Sequence, residues 1–115
     1  MLKNKYKVAP KAKRTLRGKT YASKKEKEYA QKLYWLMSAS SPKELVLKFE
    51  EQVRYDLQVN EVHICQYVLD FKVWYEDGRI EHVDVKGYKK GIAYRMFCMK
   101  RDMMKAIHGI EIIEK

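Results

Sequence analysis

One stretch of 21 residues constrains the fold of this chain more than any other: Tyr67-Val68-Leu69-Asp70-Phe71-Lys72-Val73-Trp74-Tyr75-Glu76-Asp77-Gly78-Arg79-Ile80-Glu81-His82-Val83-Asp84-Val85-Lys86-Gly87. Residues 67–75 and 79–86 are dense in β-branched and aromatic side chains, and Asp77-Gly78 falls between them, which predicts two antiparallel strands and a tight turn. A three-residue loop, a type I turn followed by a left-handed glycine, pairs Tyr75 with Arg79. Counting down that ladder, Lys72 meets His82, Asp70 meets Asp84 and Val68 meets Lys86. A two-residue Asp77-Gly78 loop would instead set Asp70 against Val85 and send the two carboxylates to opposite faces.

The first register has a chemical consequence. Facing Cβ atoms in a ladder lie roughly 4.5–5.5 Å apart, and like charges so placed repel. Lys86, two residues beyond Asp84, shares its face. A divalent cation between the carboxylates would turn the repulsion into coordination, since hard cations select oxygen ligands. The competing reading is a hairpin with one wet, polar face.

Upstream, Ser23-Lys24-Lys25-Glu26 is a capping box that starts a helix running to about Met37. Ala22, Glu26, Tyr29, Ala30, Leu33, Leu36 and Met37 make one stripe at helical spacing, so Glu26 points toward the sheet and Glu28 away from it. Capping explains Glu26 by itself, yet a carboxylate on a buried stripe also calls for a partner. Ser41-Pro42-Lys43-Glu44 carries helix-start signals, but Leu45, Leu47 and Phe49 alternate and Val53, Tyr55 and Leu57 continue the period. We read one long or kinked strand ending near Val59, with Asn60 opening a loop. His63 has no His or Cys at ligand spacing and reads as an ordinary histidine.

Downstream, Gly87-Tyr88-Lys89-Lys90-Gly91 is a loop carrying one aromatic and two lysines, a flexible connection or a clamp on nucleic acid. Ile92 to Ile107 forms a second helix. Its apolar face (Ile92, Ala93, Met96, Phe97, Met103, Met104, Ile107) is assigned to the core, and Gly109 caps its end. Ile110–Glu114 is a last short strand, parallel to its neighbour because it follows a crossover helix. The expected fold class is α/β (α+β), an αβββαβ core with a mixed four-stranded sheet and two flanking helices.

Asp70 on one strand and Asp84-Val85-Lys86 on the next resemble the signature of PD-(D/E)XK nucleases. The wider run Tyr67 to Lys90, with Ser-Lys-Lys-Glu26 upstream and Gly109-Ile110-Glu111-Ile112-Ile113-Glu114 at the end, is similar to small phage-encoded members related to archaeal-type Holliday junction resolvases. Leu69 stands where the motif's name has proline, a position without chemistry. The resemblance implies a restriction-endonuclease-like fold and Mg²⁺- or Mn²⁺-dependent phosphodiester hydrolysis. It implies a metal site of Asp70, Asp84, the Val85 backbone carbonyl and Glu26, with Lys86 positioning water or stabilising the transition state. Branched DNA cut by a homodimer is the implied substrate. A monomeric nuclease nicking or trimming duplex or flap DNA is an alternative, and so is a basic DNA-binding protein without catalysis.

Charge supports a polyanionic partner. The chain carries +10, and residues 1–20 hold eight Lys and Arg with no acid, whereas the other 95 residues carry 17 basic and 15 acidic side chains. We divide the chain into a basic, flexible arm (residues 1–20, extended or disordered in isolation) and a nuclease domain (residues 21–115). Lys11, Lys13, Arg14, Arg17, Lys19, Lys24, Lys25, Tyr88, Lys89 and Lys90 are the candidate DNA contacts. The arm has no amphipathic stripe, which disfavours a membrane surface. No apolar run reaches the roughly 18 residues of a spanning helix, and no signal-peptide core is present. The expected location is the cytoplasm, of the host cell if the chain is phage-encoded. Cys65 and Cys98 read as reduced thiols rather than a disulfide.

Overall fold

A computed structural model describes residues 8–115 of the chain, and its order of elements is the expected one. Helix α1 (Lys24–Leu36) leads into strands β3 (Val46–Val59), β4 (Val62–Tyr75) and β5 (Ile80–Asp84), then helix α2 (Gly91–His108) and strand β6 (Ile112–Glu114). The four strands form one mixed sheet of order β3-β4-β5-β6, antiparallel except for the parallel β5–β6 pair that the α2 crossover demands. No described helix is long and apolar enough to cross a membrane. Cys65 and Cys98 are both free thiols.

The hairpin forms as its sequence requires. Gly78 takes the left-handed conformation (φ 89°), and the Tyr75 N–H donates to the Arg79 carbonyl at 2.9 Å. Lys72 lies opposite His82 and Phe71 opposite Val83, the three-residue-loop register. Ser23 caps α1 by accepting from the Glu26 N–H at 3.0 Å, and Gly109 closes α2 with φ 68°. Residues 41–45 make one helical turn, the Leu45 N–H donating to the Ser41 carbonyl at 2.8 Å, before the alternation of β3 prevails.

Several boundaries differ from expectation. Strand β4 begins at Val62 rather than Tyr67, because Asn60 and Glu61 (φ 50° and 66°) build a two-residue turn that pairs Val59 with Val62. Neither the Asp70–Asp84 pair nor the Val68–Lys86 pair forms in the ladder. The β4–β5 ladder ends at Phe71–Val83, and the Lys86 N–H turns to the Lys115 carbonyl on the other side, at 2.9 Å.

The expectation of an extended arm over residues 1–20 also needs correction. Lys11–Arg14 is a 3₁₀ turn, and β1 (Thr15–Leu16) pairs with β2 (Lys19–Thr20). The Arg14 guanidinium binds the carbonyls of Ala9 and Tyr21, both at 2.8 Å, and Leu16 packs against the core. Residues 1–7 of that arm lie outside the described residues.

Two apolar clusters hold the sheet. Ala30 and Leu33 of α1 pack with Phe71, Val73, Tyr75, Val83 and Val85. Phe97 and Met104 of α2 pack with Leu57, Tyr67 and Leu69. On β6, Ile113 joins the first cluster and its neighbour Ile112 the second. Adjacent residues of a strand point to opposite faces, so α1 and α2 cover opposite sides of the sheet there. In the β3–β4 ribbon, side chains of one parity serve both clusters: Phe49, Phe71 and Val73 meet α1, whereas Val53, Leu57, Tyr67 and Leu69 meet α2. The ribbon changes helix between Phe71 and Leu69, at Asp70.

The helix stripes are narrower than their patterns. Met37 and Ala22 of the α1 stripe are exposed, as are Ile92, Ala93 and Met96 at the start of α2.

Candidate active site

The changeover in the ribbon creates the site. Beyond Phe71–Val83, β4 leaves β5, and the diverging strands leave backbone groups without ladder partners. Asp70 fills this role with its side chain: its Oδ2 accepts the Val85 N–H at 2.9 Å. Its Oδ1 accepts from the Gln52 amide at 3.3 Å, across the ribbon on β3.

Asp84 ends β5 and is the one charged residue among the buried set, 4% exposed. A buried carboxylate must be paired and hydrogen-bonded to be tolerated. The Lys86 ammonium lies 2.8 Å from its Oδ1, and the Tyr67 hydroxyl donates to its Oδ2 at 2.5 Å. Lys86 also sits 3.8 Å above the Phe97 ring, a cation–π contact that fixes the ammonium from below. Burial and the bond to Asp84 push the Tyr67 hydroxyl pKa up, so this hydroxyl stays a donor.

Glu26 comes in from the first turn of α1. Its side chain accepts no hydrogen bond from any described residue, so the reciprocal half of the capping box is absent. It lines, with Asp70, Asp84, Val85 and Lys86, a cleft of about 440 Å³ walled by Tyr67, Phe97 and Met96. Burial, then the charges of Asp70 and Asp84, push its carboxyl pKa up to about 7. Burial and the Asp84 charge likewise raise Asp70, against the Val85 N–H, Gln52 and Lys86, which lower it. Burial leads both shifts, and repulsion from neighbouring carboxylates adds to it.

This donor set suits a hard divalent cation: carboxylate oxygens with a strand-end backbone beside them, and neither thiol nor imidazole. As the side chains stand, no three Asp, Glu, His or Cys groups among the described residues are close enough to hold an ion. Asp84 is turned to Tyr67 and Lys86, and Asp70 to the Val85 N–H and Gln52. Cation binding therefore requires side chains of the cleft to move, although each Asp70 oxygen keeps a second lone pair beside the hydrogen bond it accepts.

The candidate DNA contacts divide into two groups. Arg14 is committed to two backbone carbonyls, and Lys19 is paired with Glu51. Arg17 stacks over Tyr34 at 3.8 Å, and Lys24 is 3.8 Å from Glu28. Lys25 donates to the Lys86 carbonyl at 2.5 Å from a neighbouring depression shared with Val85 and Lys115, and Lys89 is 3.9 Å from Glu114. Lys11, Lys13 and Lys90 form no ion pair with any described residue, and Tyr88 is 74% exposed. His63 pairs with Asp56 far along the ribbon and has no part in the cleft.

Two further residues of the cleft, Tyr67 and Lys100, and Gln52 behind Asp70 carry no sequence signal. Tyr67 and Gln52 bind the two aspartates, and Lys100 of α2 lines the cleft while donating to the Gln66 carbonyl at 2.9 Å. Tyr67 stands three residues before Asp70 in a strand otherwise read for packing, so only tertiary geometry reveals its bond.

A family model described as "Protein of unknown function (DUF1064)" matches residues 3–109. No curated protein and no solved structure matches the chain.

Proposed function

The chain belongs to that DUF1064 family, whose description assigns no activity, and we propose that it is a metal-dependent endonuclease hydrolysing DNA phosphodiester bonds. The observation that carries this reading is the meeting of Glu26, Asp70, Asp84 and Lys86 in one cleft. It is the arrangement that the resemblance to PD-(D/E)XK nucleases implies.

Asp70, Asp84, the Val85 carbonyl and Glu26 would hold Mg²⁺ or Mn²⁺, which when bound lowers the pKa of a water and offsets charge on the scissile phosphate. The chain's own groups divide the remaining work. Lys86, held by Asp84 and by the Phe97 ring face, aims an ammonium into the cleft, where it orients the attacking water and stabilises charge growing on phosphorus-bound oxygen. Tyr67 donates to Asp84 and orients its carboxylate at the end of β5. Glu26 would complete the ion's ligand set from the first turn of α1, directly or through water.

The DNA backbone would be held by Lys25, beside the Lys86 carbonyl, and by the exposed Lys90, Tyr88, Lys11 and Lys13. Branched DNA is the substrate we favour, and two symmetric nicks in it require two active sites, hence a homodimer. The reaction takes place in the cytoplasm. The test is incubation of purified protein with an end-labelled four-way junction and a matched linear duplex. We expect Mg²⁺-dependent nicking of the junction in preference to the duplex. Equal cutting of both would remove the junction preference, and intact DNA in both would overturn the enzyme.

A further inference from the structure

From its backbone and its bond to Asp70, we infer that Gln52 is a positioning residue of the cleft, held in a strained conformation so that its carboxamide fixes Asp70 for cation binding. This deepens the proposed function and rests on it.

Among the described residues, four other than glycine have positive φ: Arg17, Gln52, Asn60 and Glu61. Asn60 and Glu61 form the β3–β4 turn, and Arg17 precedes Gly18 in the turn between β1 and β2. Left-handed backbone is ordinary in such turns. Gln52 (φ 53°) lies in mid-strand, where nothing in the chain reversal calls for it. The ladder runs in one register on both sides, Glu51 opposite Phe71 and Val53 opposite Leu69. Gln52 therefore falls opposite Asp70 and is skipped by the pairing, although no residue is inserted.

A side chain with a Cβ pays a steric penalty for positive φ, and such strain persists where the surroundings impose it. Two consequences mark what it serves. The ribbon passes from the α1 cluster to the α2 cluster at this point. The Gln52 Nε2 also reaches Asp70 Oδ1, leaving that oxygen directed while Oδ2 accepts from the Val85 N–H. An aspartate clamped at both oxygens has one orientation in which to receive an ion, and preorganised ligands bind more tightly than free ones.

The experiment compares Gln52→Gly, Gln52→Ala and Glu61→Gly with the parent. It reads thermal midpoint without metal, and Mn²⁺ affinity by the electron-resonance signal of free Mn²⁺. Glycine accepts positive φ, so Gln52→Gly and Glu61→Gly should each raise the midpoint by a few degrees. Only the Gln52 variants should weaken Mn²⁺ binding, by about tenfold, with metal-free DNA binding unchanged. Gln52→Ala keeps the strain and loses the amide, so it should weaken Mn²⁺ without the thermal gain. A Gln52→Gly protein that melts lower, or that binds Mn²⁺ as the parent does, overturns the assignment. Absence of Mn²⁺ binding in the parent itself would instead overturn the metal-dependent reading on which the assignment stands.

Discussion

The β4–β5 hairpin is acidic at both ends, and the ends treat their acids differently. At the turn, Asp77 and Glu81 flank Arg79 at 3.7 Å and 3.6 Å, and Glu81 also accepts from the Tyr75 hydroxyl at 3.1 Å. Arg79 itself lies over the Tyr75 ring and donates to the Lys43 carbonyl. One guanidinium and one phenol satisfy the turn-end acids, at a surface where water screens what remains. At the open end, three carboxylates share one cleft, and among the described residues a single ammonium lies at hydrogen-bonding distance and Glu26 has no hydrogen-bond partner. A hairpin under selection for stability alone would place its acids as the turn does. The open end accepts repulsion, which a cation between the carboxylates would relieve.

The largest effect that would break this contrast is on activity. Asp84→Asn should reduce Mg²⁺-dependent cleavage by about 10³-fold or more, because an amide neither balances Lys86 nor binds a hard cation well. DNA binding should stay intact or tighten, since a negative charge near phosphate is removed. Asp77→Asn at the turn end should cleave within about twofold of the parent. Equal losses from both substitutions, measured in one nicking assay, would erase the distinction between the ends.

Stability gives the next largest effect. Lys86→Met leaves the buried Asp84 carboxylate with Tyr67 alone. Removing one partner of a buried pair costs about 3–5 kcal/mol. Partial exposure of the lysine brings this nearer about 2 kcal/mol, or roughly 10 °C in thermal midpoint for a domain of this size. Arg79→Met, at the surface, should lose about 1 kcal/mol or less by the same calorimetry.

A smaller effect appears with pH. The folded Glu26 carboxyl titrates at about 7 against an ordinary value of 4.5. Between these values the folded protein holds a proton that the unfolded chain has released, so stability is greatest below about pH 4.5 in this contribution, falls as pH rises, and levels off above about 7. Metal-free protein should therefore melt a few degrees lower at pH 8 than its other groups would dictate. Glu26→Gln should flatten that slope, and Mg²⁺ at pH 8 should raise the parent's midpoint while leaving Glu26→Gln less affected. A parent whose midpoint ignores Mg²⁺ would contradict the cleft's role. The smallest change expected is for Glu81→Gln, within about 0.5 kcal/mol.

Much of this contrast can be read in the amino-acid order, and the reason is local. Period-two alternation and Asp77-Gly78 locate the hairpin and narrow its register to two choices, one of which, the one found, carries Asp70 and Asp84 to the same cleft. Ser23 and Gly109 mark helix ends through bonds made within a few residues. The parts that were not legible depend on distant partners. Residues 11–20 look like a charged arm until Arg14 is seen bound to the Ala9 and Tyr21 carbonyls.

The apolar face of α2 looks uniform, yet Ile92, 76% exposed, lies beyond the ribbon that covers Phe97 and Met104. Gln52 illustrates the limit most clearly. Counting back from the Val59–Val62 pair would place Glu51 opposite Asp70, and only the one-residue shift between Leu57 and Gln58 brings Gln52 there. No local signal announces that shift.

The central claim is that the open end of the hairpin holds a hard cation. Diffraction from crystals soaked in Mn²⁺, collected for its anomalous signal, would test it most directly. The account predicts a peak between the carboxylates of Asp70 and Asp84, within reach of Glu26, that is absent in Asp84→Asn crystals. A protein that takes up no Mn²⁺ there, or binds it only at the turn-end acids, would contradict it.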